Sequence, residues 1–206
     1  MIRVKICGVN DAAAFDATVA AGADWLGFVF FAASPRAVSP AQAAALSARR
    51  AGGPLRVGLF VEPTDAEIAS VLGAVRLDLL QLYVTAPRAA DVRSKFGLPV
   101  WRAVGMTQPA DLPAEAGGVD GFVVEPEPPP EATRPGGNAT ALDWSLLAGW
   151  RAPAPWLLAG GLTPGNVAEA IRSSGAPAVD VSSGVESRRG VKDPKLIAAF
   201  VAAARG

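Results

Sequence analysis

The chain of 206 residues contains no histidine, one cysteine, one tyrosine and two methionines. Without histidine there is no histidine-based nucleophilic triad and no zinc site of the common imidazole kind. Proton transfer is left to carboxylates, Cys, Lys and Tyr. The single cysteine, Cys7, excludes an internal disulfide and fits a reducing cytoplasm. An excess of charge of either sign is also missing. The 19 basic residues balance 19 acidic ones, which argues against nucleic acid or a membrane surface as partner. Long apolar runs are absent too: "WLGFVFFAA" is far too short to span a bilayer, and "MIRVKICGVN" has no signal-peptide core.

Half of the residues are hydrophobic, enough for one large core in a single domain over residues 1–206. Short runs rich in β-branched and aromatic residues recur along the chain: "RVKIC", "WLGFVF", "RVGLFV", "LLQLY", "VWRAVG", "GFVVE", "WLLAG" and "AVDVSS". Ala-rich helical patterns lie between them. "DAAAFDATVAAG" is entered by Asn10 as N-cap and closed by Gly22. "TDAEIASVLG" begins with a capping box of Thr64 and Glu67. "TPGNVAEAIRSSG" and "DPKLIAAFVAAA" each start with a cap residue followed by proline at the first helical position. Eight strand–helix units at a period of about 26 residues predict a (β/α)8 TIM barrel. A doubly wound open sheet, with fewer strands and longer crossovers, is the alternative. One stretch, 126–142, is too rich in Pro and Gly for a helix. It is expected to be the most mobile segment, a lid over the sixth-strand side.

In such a barrel, reactive groups belong at the C-terminal ends of the strands. Those ends carry Cys7, Arg36, Tyr83, Glu125, Gly160 with Gly161, and Ser182-Ser183-Gly184. The small residues after the seventh and eighth strands let backbone N–H groups approach a phosphate closely. Alternation puts Lys5 on the same face as Cys7 and deeper in the barrel. An inward lysine needs a counter-charge, and Asp180 on the neighbouring eighth strand is the candidate. A cationic lysine also favours a thiolate on Cys7. Arg36 offers a planar fork that matches a carboxylate.

"VKICG", "GFVFFAASPRAVSP", "VGLFVEP", "LQLY", "LDWSLL", "LAGGLTPGNVAEAI" and "VDVSSGVESRRGVKD" resemble the phosphoribosylanthranilate isomerases, in order and over essentially the whole chain. The resemblance implies a TIM barrel that rearranges an N-phosphoribosyl anthranilate to a 1-deoxyribulose phosphate in tryptophan biosynthesis, without a cofactor or metal. It implies Cys7 as general base, the residue ending the sixth strand as general acid, and Arg36 on the anthranilate carboxylate. The loops of Gly161 and Ser183-Gly184 would hold phosphate, and Asp180 would line the same pocket. It also implies a soluble cytoplasmic enzyme, monomer or homodimer, acting on a small phosphosugar. The chain departs from the family pattern at four positions: Glu125 for the acidic aspartate, Glu127 for a following lysine, Tyr83 for a histidine, and Ala139 for a glycine. Glutamate keeps the acid but lengthens it by a methylene, and Glu127 adds negative charge near an anionic substrate. Three functions follow: an isomerase with glutamate as acid, a phosphosugar-binding paralogue without turnover, and a different enzyme such as a phosphosugar epimerase or a Schiff-base aldolase using Lys5.

Overall fold

A computed structural model describes residues 1–128 and 142–206. Eight parallel strands close into a barrel in sequence order: β1 (Arg3–Cys7), β2 (Trp25–Val29), β3 (Leu55–Val61), β4 (Leu79–Tyr83), β5 (Val100–Met106), β6 (Gly121–Pro126), β7 (Trp156–Leu158) and β8 (Ala178–Val181). Among the described residues six helices surround it: α1 (Ala12–Ala20), α2 (Pro40–Ser47), α3 (Asp65–Ala74), α4 (Ala86–Phe96), α5 (Val167–Ser174) and α6 (Pro194–Arg205). After β8 the chain makes a small antiparallel hairpin, β9 (Glu186–Arg188) with β10 (Val191–Lys192), before α6.

The eight strands lie where their β-branched and aromatic runs place them, but the expected helix after every strand does not form. After β5 the chain "QPADLPAEAGG" makes only a single turn of 3-10 helix, Pro109–Asp111. After β6 the described part is another short 3-10 turn, Trp144–Leu147. Proline and glycine there remove donors and raise the entropic cost of a helix. The expected lid falls mainly on residues 129–141, outside the described residues. Two helix starts also differ. Asp11, not Asn10, caps α1 by accepting from the Ala14 N–H, because the Asn10 amide donates instead to the Gly190 carbonyl at 3.0 Å. The helix expected at Thr163-Pro164 begins at Val167. Its cap position is taken by Asn166, whose side chain accepts from Thr163 N–H and donates to Gly161 O. That exchange ties the start of α5 to the loop after β7.

Alternation along the strands sorts the core into layers. Outward residues such as Ile6, Phe28, Phe60, Leu80 and Phe122 are fully or almost fully buried beneath the helices. Inward residues near the strand starts form a separate plug that includes Trp25, Val57, Leu79, Trp101 and Leu157. Trp25 and Trp101 meet edge to face at 5.0 Å between centroids, and the Arg3 guanidinium covers Trp25 at 3.8 Å. The plug closes the barrel from below. At the strand ends a smaller apolar set, Cys7, Val29 and Leu59 with Phe31, Val61 and Tyr83, lines the mouth. Charged and amide side chains therefore have one place to converge, between the plug and the mouth.

Candidate active site

Lys5 is the deepest polar residue of the barrel and is fully buried. The parallel register sets it beside Asp180, and its Nζ donates to both carboxylate oxygens at 3.0 Å, as the alternation predicted. Burial pulls its pKa down, but Asp180 and Cys7 outweigh that, and the net shift is upward. Lys5 is thus a fixed ammonium. A Schiff-base nucleophile needs a neutral amine, so the aldolase alternative loses its support.

Cys7 lies two residues further along β1, 5 % exposed. Space for it comes from Gly27 on β2, its register partner. A Cβ at Gly27 would stand 3.1 Å from Cys7 Sγ and 3.3 Å from Lys5 Nζ, so any side chain there would press on both. The expectation that lysine would leave a thiolate is only half met. Burial raises the Cys7 pKa, the Lys5 charge lowers it, and burial wins. The resting group is a thiol with a cation beside it.

Arg36 is brought in by the loop after β2, which folds back so that the Val38 N–H donates to Val29 O at 3.0 Å. Its stem lies on Gly8, where φ is +74° and a Cβ would come 2.5 Å from Arg36 Cδ. The guanidinium already holds a carboxylate of the chain itself. Nε and Nη2 donate to the two oxygens of Glu186 at 2.6 and 3.0 Å. Three of its five N–H donors remain, enough for a second carboxylate approaching from the Nη1 side.

Glu125, the last residue but one of β6, faces inward and is 5 % exposed. Burial is the main cause of a pKa raised to about 8, and the nearby Asp180 charge adds to it. The Tyr83 hydroxyl and the Lys5 charge act in the opposite direction. The carboxyl is therefore neutral and able to donate at pH 7. Tyr83 is pushed up in turn, by burial first and by Glu125 second, and stays a neutral phenol. Glu127, the expected source of repulsion, is exposed and lies away from the lining of the cavity.

One cavity at the C-terminal end of the barrel is lined by Cys7, Arg36, Tyr83, Glu125 and Asp180, together with Gly160, Gly161, Ser182 and Ser183. Gly184 is the one expected residue outside the lining. It packs beneath the Leu162 carbonyl, where a Cβ would overlap the oxygen, and so lets the loops after β7 and β8 touch. The backbone N–H groups of Gly161, Ser183 and Gly184 donate to no described residue. Such a group of unengaged donors is suited to a phosphate. Sequence reasoning missed Gln81 as a lining residue. It is 1 % exposed, and its side-chain oxygen has no partner among the described residues. The signal was present, since an amide sat inside an apolar strand in phase with Tyr83. Glu186 and Lys192 were missed as well.

Residues 4–203 match the family model described as N-(5'-phosphoribosyl)anthranilate (PRA) isomerase. The chain is 56 % identical to the N-(5'-phosphoribosyl)anthranilate isomerase of Acidiphilium cryptum over 204 residues, covering 99 % of this chain and 98 % of that protein. It is 53 % identical over 204 residues to the enzyme of the same name from Granulibacter bethesdensis, covering 98 % of each. Among solved structures it resembles the phosphoribosyl anthranilate isomerase of Thermotoga maritima at 32 % identity and a TM-score of 0.85, covering the whole of both chains. A phosphoribosyl anthranilate isomerase solved in complex with reduced 1-(o-carboxyphenylamino)-1-deoxyribulose 5-phosphate gives 32 % and 0.84, again over the whole of both chains. Barrel, cavity and sequence agree, and the chain belongs to the N-(5'-phosphoribosyl)anthranilate isomerase family.

Proposed function

We propose that Glu125 and Cys7 are the acid and base with which this isomerase converts N-(5-phosphoribosyl)anthranilate to 1-(2-carboxyphenylamino)-1-deoxyribulose 5-phosphate, a step of tryptophan biosynthesis. The reaction needs a proton on the furanose oxygen as the C1′–O bond breaks and the amine nitrogen forms a Schiff base. It then needs a base for the C2′ proton, which leaves an enolamine. Return of a proton to C1′ and loss of one from the C2′ hydroxyl give the ketone. One observation carries the assignment: a carboxyl that burial keeps neutral, with a pKa of about 8, lines the same cavity as the chain's only thiol. Glu125 supplies the first proton. Cys7, once ionised against the Lys5 ammonium, takes the second.

The phosphate is assigned to the Gly161 and Ser183-Gly184 backbone, with Ser182 and Gly160 shaping the loops. The anthranilate carboxylate is assigned to the free edge of Arg36, and the sugar hydroxyls to Asp180 and Tyr83. No metal or organic cofactor enters this scheme, and the reading carries with it a cytoplasmic location. No described helix is long and apolar enough to cross a membrane.

The test is kcat for three proteins in one coupled assay with substrate made in situ. Wild type is expected to turn over. Glu125→Gln is expected to lose on the order of 10²- to 10⁴-fold, because an amide cannot supply the proton. Glu125→Asp is expected to retain activity. Equal rates for wild type and Glu125→Gln would remove Glu125 from the mechanism and leave Asp180 as the acid. Because reaction needs protonated Glu125 and ionised Cys7 together, and both are shifted upward, kcat/KM is expected to be bell-shaped with its maximum above pH 8.

A further inference from the structure

The hairpin after β8 carries a buried charge cluster that the reaction scheme does not use. Lys192 on β10 has a fully buried side chain, and all three of its donors are engaged. Nζ reaches Ser182 O at 2.8 Å, Ser182 Oγ at 3.2 Å and Glu186 Oε1 at 2.9 Å. Glu186 on β9 is equally saturated. Its Oε1 accepts from Arg36 Nε and Lys192 Nζ, and its Oε2 from Arg36 Nη2 and the Gly190 N–H at 3.0 Å. Ser182 in turn donates through Oγ to the Cys7 carbonyl at 3.1 Å. A single run of contacts therefore joins the guanidinium at the mouth, the first residue of the loop assigned to phosphate, and the backbone of the thiol.

We propose that Glu186 and Lys192 are positioning residues that hold the Arg36 fork in register with the Ser182–Gly184 loop, and so set the enzyme's preference for a substrate carrying a carboxylate at the right distance from its phosphate. The inference rests on the assignment of Arg36 to that carboxylate.

The physical case has two parts. An arginine side chain on a loop has many rotamers, and ordering it on binding costs affinity. Glu186 meets that cost in the free protein, since a bidentate pair fixes the plane as well as the position of the guanidinium. Lys192 then determines where that plane sits relative to the phosphate loop, because it binds the Ser182 carbonyl and Glu186 with the same nitrogen. Burial raises the Glu186 pKa, but Arg36, Lys192 and the Gly190 N–H prevail and hold it at about 2. The carboxylate thus stays charged across the working range. Two cations against one carboxylate leave one positive charge facing the cavity, the right sign and number for one carboxylate of the ligand.

The test compares two ligands in titration calorimetry: reduced 1-(o-carboxyphenylamino)-1-deoxyribulose 5-phosphate, and its 1-phenylamino counterpart, which lacks only the carboxylate. Wild type is expected to prefer the carboxylate by about 10-fold or more, the value of a charge-assisted contact. The double variant Glu186→Gln with Lys192→Met removes both positioning groups while keeping one net positive charge, that of Arg36. It is expected to lose most of that preference while binding the phenylamino ligand within about threefold of wild type. A merely structural role would weaken both ligands alike, and that outcome overturns the proposal, as does an unchanged preference. Lys192→Met alone keeps the neutral Arg36–Glu186 pair and so guards against a double variant that fails to fold. It is expected to reduce the preference partially, and Lys192→Arg to restore it. A Lys192→Met protein with full preference overturns the role of Lys192. Absence of any preference in wild type would instead strike the assignment of Arg36, and the proposal with it.

Discussion

Around the end of β8, Lys5 is paired with Asp180, and a second group joins Arg36, Glu186, Lys192 and Ser182, through hydrogen bonds of 2.6 to 3.2 Å, with every donor of Lys192 occupied. Across the mouth, β4 and β6 present Gln81, Tyr83 and Glu125 with far fewer partners, and the Gln81 oxygen has none among the described residues. The first side is organised by paired charge and the second by exclusion of water. Each suits a different task. Fixed ions hold anions of unchanging charge, whereas an acid must exist in two protonation states, and burial keeps the neutral one populated near pH 7. Of the departures from the family pattern that fall on described residues, Tyr83 and Glu125 belong to the second side, and Glu127 lies exposed outside the cavity.

The comparison is broken most severely at Cys7. Cys7→Ser is expected to reduce kcat on the order of 10³- to 10⁴-fold, with unchanged circular dichroism and with product-analogue affinity within about threefold. Retention of more than about a tenth of the wild-type rate would show that the base is elsewhere.

The ion-pair side is tested next through Lys5. Lys5→Met strands the Asp180 carboxylate in the barrel and is expected to cost about 3–5 kcal/mol in denaturant unfolding. Lys5→Met with Asp180→Asn is expected to recover most of that stability but not the activity, which needs the cation beside the thiol. A stable Lys5→Met single variant would mean that the pair contributes little.

The water-excluding side is tested through its dependence on pH. Glu125 is raised in the folded protein from an ordinary 4.5 to about 8. The folded chain therefore holds one more proton than the unfolded chain between those values. The stability Glu125 contributes is complete below about 4.5 and is lost as pH rises through 8, at about 1.4 kcal/mol per unit. Glu125→Gln carries no such loss. Its melting temperature is expected to rise relative to wild type by about 10 °C between pH 5 and pH 9, a trend read by calorimetry. A constant difference across that range would mean that Glu125 titrates normally.

How much of this was legible in the sequence depended on the range of the signal. Strand positions followed from β-branched runs, and the Lys5–Asp180 pair from alternation plus closure of the barrel. Cys7, Arg36, Tyr83 and Glu125 could be placed at the mouth because a strand end is a local property. The partner of Arg36 could not. Glu186 and Lys192 sit in "ESRRGVK", a polar stretch that reads as a solvated turn. Only the hairpin of β9 and β10, three and two residues long, folds it inward. Asn10 and Thr163 were misplaced as caps for a related reason, since their neighbours Asp11 and Asn166 found the better contacts in three dimensions.

One further consequence follows from Cys7 being the chain's only sulfhydryl. A reagent that consumes thiols one for one counts barrels rather than surface groups. Because an unfolded chain exposes the same thiol, the slow, ligand-sensitive part of the reaction is what counts folded barrels, and its slowing by added ligand reports occupancy. The protein thus carries its own single-site reporter, without an engineered label.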